Sequence, residues 1–405
     1  MNFSNKKEQI LKKIEHRHEK ELFLGDDNMK DNDIKKSQES VSSTEKISFS
    51  RSRSLRRTGL DKVVPQRNES KKNVAEISSN VTMSDGIDKV SKVVIELPRY
   101  STTSGGIRES IKLAKHIPYN VVIRFQRLTE DYPQLSTTWT VGLPDHTFPT
   151  CDVCITYSDN PYLSMLIALP QVKKVLIYML SYGMAIERER KNILNKNVIV
   201  MCSTKKIEEA ILKEGVKVHR IGFALDVDEM FNENKKRKNY LAIMYHQSQD
   251  KKYSMAVSVA DVLYKRKIID GVITFGAKDG YKNNVHPKGL IKHYTNANRD
   301  EIRKIFNSCK CFLMPSVSEG LNLTPAESTL CGCPAILCDG AIGELFFNRK
   351  NCFIAKHDDS DEMIKMVEDV MNNFDIYSDY FSKNMREITK EYTWDTVIKN
   401  INNLL

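Results

Sequence analysis

From Lys92 onward, short and continuously apolar runs recur, each closed by turn residues and followed by a helix-like or polar stretch. They include VVIELPRY (93–100), YNVVIRFQ (119–126), CDVCITYS (151–158), KKVLIYML (173–180) and NVIVMCS (197–203), then YLAIMY (240–245) and CFLMPS (311–316). A strand with one solvated face alternates apolar and polar residues. Runs this uniformly apolar need cover on both faces, which a parallel sheet flanked by helices supplies. The alternation therefore predicts an α/β fold with mostly parallel sheets.

With 405 residues, 40% of them hydrophobic, the chain can bury two ordinary domain cores. No apolar run approaches the ~18 residues of a spanning helix. The start, MNFSNKKEQILKKIEHRHEK, is charged throughout, unlike a signal peptide, so a cytoplasmic protein is expected, with peripheral membrane contact left open. The first 92 residues hold three Phe and neither Tyr nor Trp. Such a stretch buries too little apolar surface to offset ordering entropy, and residues 1–91 are expected to be a disordered polar tail, with a short amphipathic helix possible over 6–24. Between Lys46 and Lys72 nine Lys or Arg face two acids; this is either a solvated tail or a tether to an anionic surface or nucleic acid. Cys151/Cys154, Cys309/Cys311 and Cys331/Cys333 lack a neighbouring His cluster, so the nine cysteines read as reduced core thiols and no metal ligands are expected.

The segment Cys311–Glu344, CFLMPSVSEGLNLTPAESTLCGCPAILCDGAIGE, carries the densest chemistry. Pro315 and Ser316 end a buried strand, and Thr324 is expected to cap a helix that starts at Pro325, with Glu327 closing a capping box. Gly332 and Pro334 then stop the helix, Ala335–Cys338 form the next strand, and Asp339–Glu344 the loop beyond it. A helix N-terminus offers free N–H groups to phosphate, and Glu319 and Glu327 face one ligand across the turn. As a plain capping box, Glu327 would instead be structural.

The pattern Glu319-Gly320-x-x-x-x-Pro325-x-Glu327, followed by Cys331-Gly332-x-Pro334, resembles the nucleotide-sugar site of retaining GT-B glycosyltransferases of family 4, the glycosyl transferases group 1. The resemblance covers roughly residues 92–405. It implies two Rossmann-like domains facing across a cleft: an acceptor domain at 92–225, a nucleotide-sugar domain at 226–380, and a C-terminal helix at 381–405 crossing back. It also implies a hexosyltransferase that retains anomeric configuration, with a nucleoside-diphosphate sugar as co-substrate and neither metal nor other cofactor.

By that resemblance Glu319 and Glu327 are the catalytic carboxylates. The donor would be held by Gly105 and Gly106 after the first strand, by His246, Lys251 and Lys252 after the strand 240–245, and by Gly320, Leu321, Asn322, Leu323, Thr324 and Glu327. His246 stands where the family has Arg, and Asn322 where it commonly has Gly. The family's acceptor-side His has no counterpart in Ser181-Tyr182-Gly183, and His146 reads as a solvent-exposed loop residue. Trp394 reads as a packing anchor of the closing helix. The acceptor is left open among glycan, lipid, protein and modified nucleobase. Two other readings stay open: a catalytically silent GT-B binder, and a nucleic-acid-directed protein, either a binder through its tail or a DNA-base glycosyltransferase.

Overall fold

The computed structural model describes Gln9, Lys12 and residues 92–99, 105–127, 135–157, 160–180, 190–277, 281 and 285–405. Apart from Gln9 and Lys12, the expected tail and its helix lie outside the described residues, as do Ser104 and Ser181 to Gly183. The described residues from Lys92 to Leu405 belong to one compact unit built on two sheets.

The first sheet takes β1 (Lys92–Arg99), β2 (Asn120–Arg127), β3 (Thr138–Val141), β4 (Cys151–Tyr157), β5 (Val172–Met179), β6 (Val198–Cys202) and β7 (Val218–Arg220) in the order β3-β2-β1-β4-β5-β6-β7. The second takes β8 (Tyr240–Tyr245), β9 (Gly271–Gly276), β10 (Leu290–Thr295), β11 (Cys311–Met314), β12 (Ala335–Cys338) and β13 (Phe353–Ala355) in the order β10-β9-β8-β11-β12-β13. Every pairing is parallel. The apolar runs are covered on both faces, as their composition demands: Val93, Val94 and Ile95 are at most 1% exposed.

Each sheet reverses direction once, between β1 and β4 and between β8 and β11. In doubly wound sheets such a reversal marks the place, at the C-terminal ends of the two strands, where ligands bind.

The helices are α1 (Gly105–His116), α2 (Leu163–Ala168), α3 (Lys205–Lys213), α4 (Tyr253–Lys265), α5 (Arg299–Ser308), α6 (Leu323–Leu330), α7 (Ser360–Asn372), α8 (Phe374–Thr389) and α9 (Trp394–Asn402) among the described residues. Gly105 and Gly106 lie in the first turn of α1, not in a loop ahead of it. Helix α5 starts with a reciprocal capping box between Asn298 and Glu301. Helix α6 ends in a Schellman turn: Gly332 adopts φ +74°, its N–H donates to Thr329 O, and the Cys333 N–H donates to Ser328 O. All nine cysteines are buried and free.

Residues 381–389 remain in the second core through Phe381 and Met385, so the chain crosses back between Thr389 and Trp394, later than residue 381. Helix α9 then closes the first core with Val397 and Ile401, and Trp394 stacks on His116 with ring centroids 4.7 Å apart.

One buried carboxylate interrupts the first core. Glu96 of β1 is fully buried and accepts hydrogen bonds from Asn160 Nδ2 at 2.6 Å and Gln126 Nε2 at 3.3 Å, which ties β1, β2 and the loop after β4 together. Burial pushes its carboxyl up from the ordinary 4.5 to about 7, against the hydrogen bonds from Asn160 and Gln126 and the charge of Arg124. Because the unfolded glutamate titrates near 4.5, the neutral form stabilises the fold fully below that value, and this contribution is lost as pH climbs through about 7. Urea unfolding is expected to show wild-type stability falling from about pH 5 to pH 8, and Glu96→Gln flattening that fall by roughly 1–3 kcal/mol. Parallel curves for the two proteins would contradict this.

Candidate nucleotide-sugar site

The crevice between β8 and β11 is lined by two loops stitched together by their backbones. Where β8 ends, His246 Nδ1 accepts the Ser248 N–H at 3.0 Å, which leaves Nε2 as the ring nitrogen that carries the proton. Ser248 caps a single 3-10 turn at Gln249–Lys251, and Lys252 follows at φ +47° in the position just ahead of α4, without a side-chain capping bond. In the second loop, the Val317 N–H donates to Asp250 O at 2.8 Å. Gly340, in the loop after β12, lies against Val317: an added Cβ would sit 2.5 Å from Val317 O. The third strand's loop thus buttresses the other two through a contact that only glycine permits.

This stitching brings Lys251 onto Glu319, with Nζ 2.5 Å from Oε2. The Glu319 side chain is 9% exposed, and its other oxygen, Oε1, is buried without a hydrogen-bond partner. Lys252 turns away to Asp358 at 3.2 Å, because its left-handed backbone redirects the side chain. Burial, then the charge of Lys251, lowers the pKa of His246 against the pull of Glu319, so its imidazole is neutral near pH 7.

The turn into α6 corrects the sequence expectation. The helix starts at Leu323, Asn322 is the cap residue, and neither Thr324 nor Glu327 closes a capping box. Asn322 adopts φ +51°, ψ +52°, a left-handed conformation that glycine takes freely and asparagine tolerates best among other residues. That conformation explains the asparagine where glycine is common. The helix therefore presents the N–H groups of Leu323 and Thr324 to the crevice, with Pro325 still in the first turn, where a missing donor costs nothing.

Glu327 lies one turn inward, 5% exposed, and accepts from Arg299 Nη1 at 2.7 Å. Arg299 Nε donates to Glu229 Oε2 at 3.0 Å, and Lys112 of α1 lies 3.6 Å from Glu229 and pairs with Asp226. Trp394 Nε1 donates to Asp226 at 3.1 Å. A chain of alternating charge thus runs from the crevice, through the inter-domain segment, to the first domain. Burial would raise the Glu327 carboxyl, but Arg299, then Arg108 and Lys112, hold it below the carboxylate range. Glu109 of α1 faces the same cluster, and burial pushes it up to about 7 against the charge of Lys112.

The structure brings together His246, Lys251 and Glu319, with the 320–324 turn directly following; Glu327 belongs to the neighbouring cluster of Arg299, Lys112 and Glu109. Gly105 and Gly106 stand on α1 of the other domain, and Gly106 packs against Leu180. His146 is exposed. Glu344, at the end of the loop after β12, accepts from the Lys205 N–H at 3.3 Å and Arg220 Nη1 at 3.5 Å, bracing the first domain.

Sequence reading missed Arg299, Glu229, Lys112 and Glu109. Arg299 had a local marker, the Asn298–Glu301 box that fixes it as the first residue of α5, but its partner lies on another helix.

Comparison with known proteins yields one family model and many solved structures. The model described as Glycosyl transferases group 1 matches residues 268–373, and no curated protein matches the chain. TarM shares 15% identity at a TM-score of 0.53, over 62% of this chain and 54% of that one, so the chain spans about half the length of TarM. Anabaena HepE in complex with UDP-glucose shares 12% identity at a TM-score of 0.62, over 77% of this chain and 98% of that one. WaaG, a glycosyltransferase involved in lipopolysaccharide biosynthesis, shares 11% identity at 0.59, over 77% of this chain and 99% of that one. The GT-B architecture and the likeness to glycosyl transferases group 1, read from Glu319 to Pro334, both hold.

Replacing Arg299 by Met is expected to cost about 3–5 kcal/mol in urea unfolding, since it strands a buried carboxylate. Adding Glu327→Gln to that variant is expected to restore part of the loss. Additive losses would show that the two side chains do not act on each other.

Proposed function

We propose that this GT-B chain, with the glycosyl transferases group 1 likeness in its second domain, moves a sugar from a nucleoside diphosphate to an acceptor hydroxyl with retention of configuration. The observation that carries this reading is Glu319: a carboxylate nine-tenths buried at the sheet's switch point, with Lys251 on one oxygen and the other unpartnered. A buried carboxylate oxygen lacking a donor is costly, and sugar hydroxyls are donors of the right kind.

In this reading the diphosphate lies over the α6 N-terminus. Lys251, the His246 Nε2–H and the amides of Leu323 and Thr324 take up the charge that develops on the leaving phosphate, the work that a metal ion does in other transferases. Glu327, held ionised by Arg299, accepts from ribose hydroxyls. Glu319 accepts from hydroxyls of the transferred hexose and fixes its orientation, so the two carboxylates act on different ends of one donor. Anabaena HepE binds UDP-glucose on the same fold, which supports a uridine nucleotide as the first donor to test.

The acceptor would enter from the first domain, whose helix α1 faces the cluster around Glu327. Glycan, lipid, protein and nucleobase hydroxyls are all candidates. The neutral imidazole at His246 favours a second reading, a binder with little turnover, because a guanidinium would neutralise more phosphate charge.

Calorimetry on wild type and Lys251→Ala with UDP and uridine tests the assignment. The variant is expected to lose about 1.5–3 kcal/mol for UDP and little for uridine, since a cation recognises phosphate and not the base. His246→Arg is expected to tighten UDP binding. Equal losses for nucleotide and nucleoside would remove Lys251 from the diphosphate. Glu327→Ala is expected to abolish transfer; full activity there would leave Glu327 a structural partner of Arg299.

A further inference from the structure

The cation assigned to the diphosphate is already engaged: Lys251 is in contact with Glu319, at 2.5 Å. Its neighbours on the loop are directed otherwise. Lys252 is committed to Asp358 at 3.2 Å, and His246 is fixed by the Ser248 N–H as a neutral Nε2–H donor. A diphosphate that takes Lys251 therefore draws it from its carboxylate. That leaves a side chain only 9% exposed without its counter-charge, and burial makes such a separation expensive.

We propose that the Lys251–Glu319 pair makes the site select the intact nucleotide sugar over the nucleoside diphosphate it leaves behind, by an exchange of partners. This rests on the donor-site reading above. An intact donor brings both halves of the exchange: its phosphates take Lys251, and its sugar hydroxyls donate to Glu319, beginning with Oε1, which is buried without a hydrogen-bond partner. A bare nucleoside diphosphate takes Lys251 and gives Glu319 nothing. When the sugar departs on the acceptor, its hydroxyls leave with it, Glu319 recovers Lys251, and the diphosphate loses its cation. The pair thus favours donor capture before transfer and product release after it. The two loops cannot avoid the exchange by moving apart, because the Val317 N–H holds Asp250 O at 2.8 Å.

The sign of the consequence is unusual. Glu319→Gln keeps the shape but removes the charge that competes for Lys251. It is therefore expected to bind a nucleoside diphosphate more tightly than wild type, by about tenfold (~1.4 kcal/mol at 25 °C), while affinity for the nucleotide sugar stays level or falls. The experiment is calorimetry on both proteins with UDP, GDP and ADP against UDP-glucose, GDP-mannose and ADP-glucose. Lys251→Ala combined with Glu319→Gln is expected to lose the gain, which places the effect on Lys251. Glu319→Asp, which withdraws the carboxylate by one methylene, provides a second variant with the same expected direction for the bare diphosphate.

If wild type binds some of these nucleotides and Glu319→Gln binds the matching diphosphate equally or more weakly, the inference is overturned and the donor-site reading stands. If wild type binds none of them, both are overturned.

Discussion

The parallel adjacency of β8 and β11 is the constraint on which the site depends. These strands pair through Cys311 with Leu241 and Leu313 with Ile243, although most of a domain separates them in sequence. Since both run the same way, the loops that follow them leave at the same sheet edge, and helices α4 and α6 carry the chain to opposite faces. The two loops bring together groups from distant segments: the cation at Lys251 on one side, and the carboxylate at Glu319 with the amides of the α6 N-terminus on the other. The Val317–Asp250 backbone bond and the close approach of Gly340 then fix the loop separation to within hydrogen-bond tolerance.

A second layer of the account is electrostatic. Glu327 remains ionised in a buried place because Arg299, with smaller contributions from Arg108 and Lys112, outweighs desolvation. Those cations come from both sides of the cleft. Arg299 belongs to the second domain and Lys112 to the first, with Glu229 and Asp226 of the intervening segment between them. Glu327 is thus coupled to the inter-domain segment by ion pairs, and any ligand that displaces Arg299 from Glu327 acts on the link between domains. Glu109, pushed up to about 7 by burial at the same junction, adds a group that titrates near neutral pH.

Much of this was legible in the sequence, for identifiable reasons. Central strands were readable because burial on both faces forces an apolar run, and β8 and β12 were placed at the residues the structure assigns them. The strands that escaped notice, β3, β7, β10 and β13, are the outer strands of the two sheets. An edge strand is short or half-exposed: β7 and β13 have three residues each, and in β10 no residue is buried, so the local pattern resembles a loop. The start of α6 was misplaced because Thr324 and Glu327 make a capping box on paper, while the left-handed Asn322 begins the helix earlier. Lys251 and Glu319 could be named as candidates one at a time, yet their pairing is a property of the tertiary fold. The Arg299 to Lys112 chain was invisible for the same reason, since its members lie on separate elements.

Amide hydrogen exchange with and without a nucleoside-diphosphate sugar tests the central claim most directly, because it reports where a ligand is held without presuming the acceptor. The account predicts added protection concentrated in two stretches, His246–Lys252 and Ser316–Glu327, where the crevice offers its backbone amides. Protection confined to the first domain, with these two loops unchanged at saturating ligand, would contradict the placement of the donor.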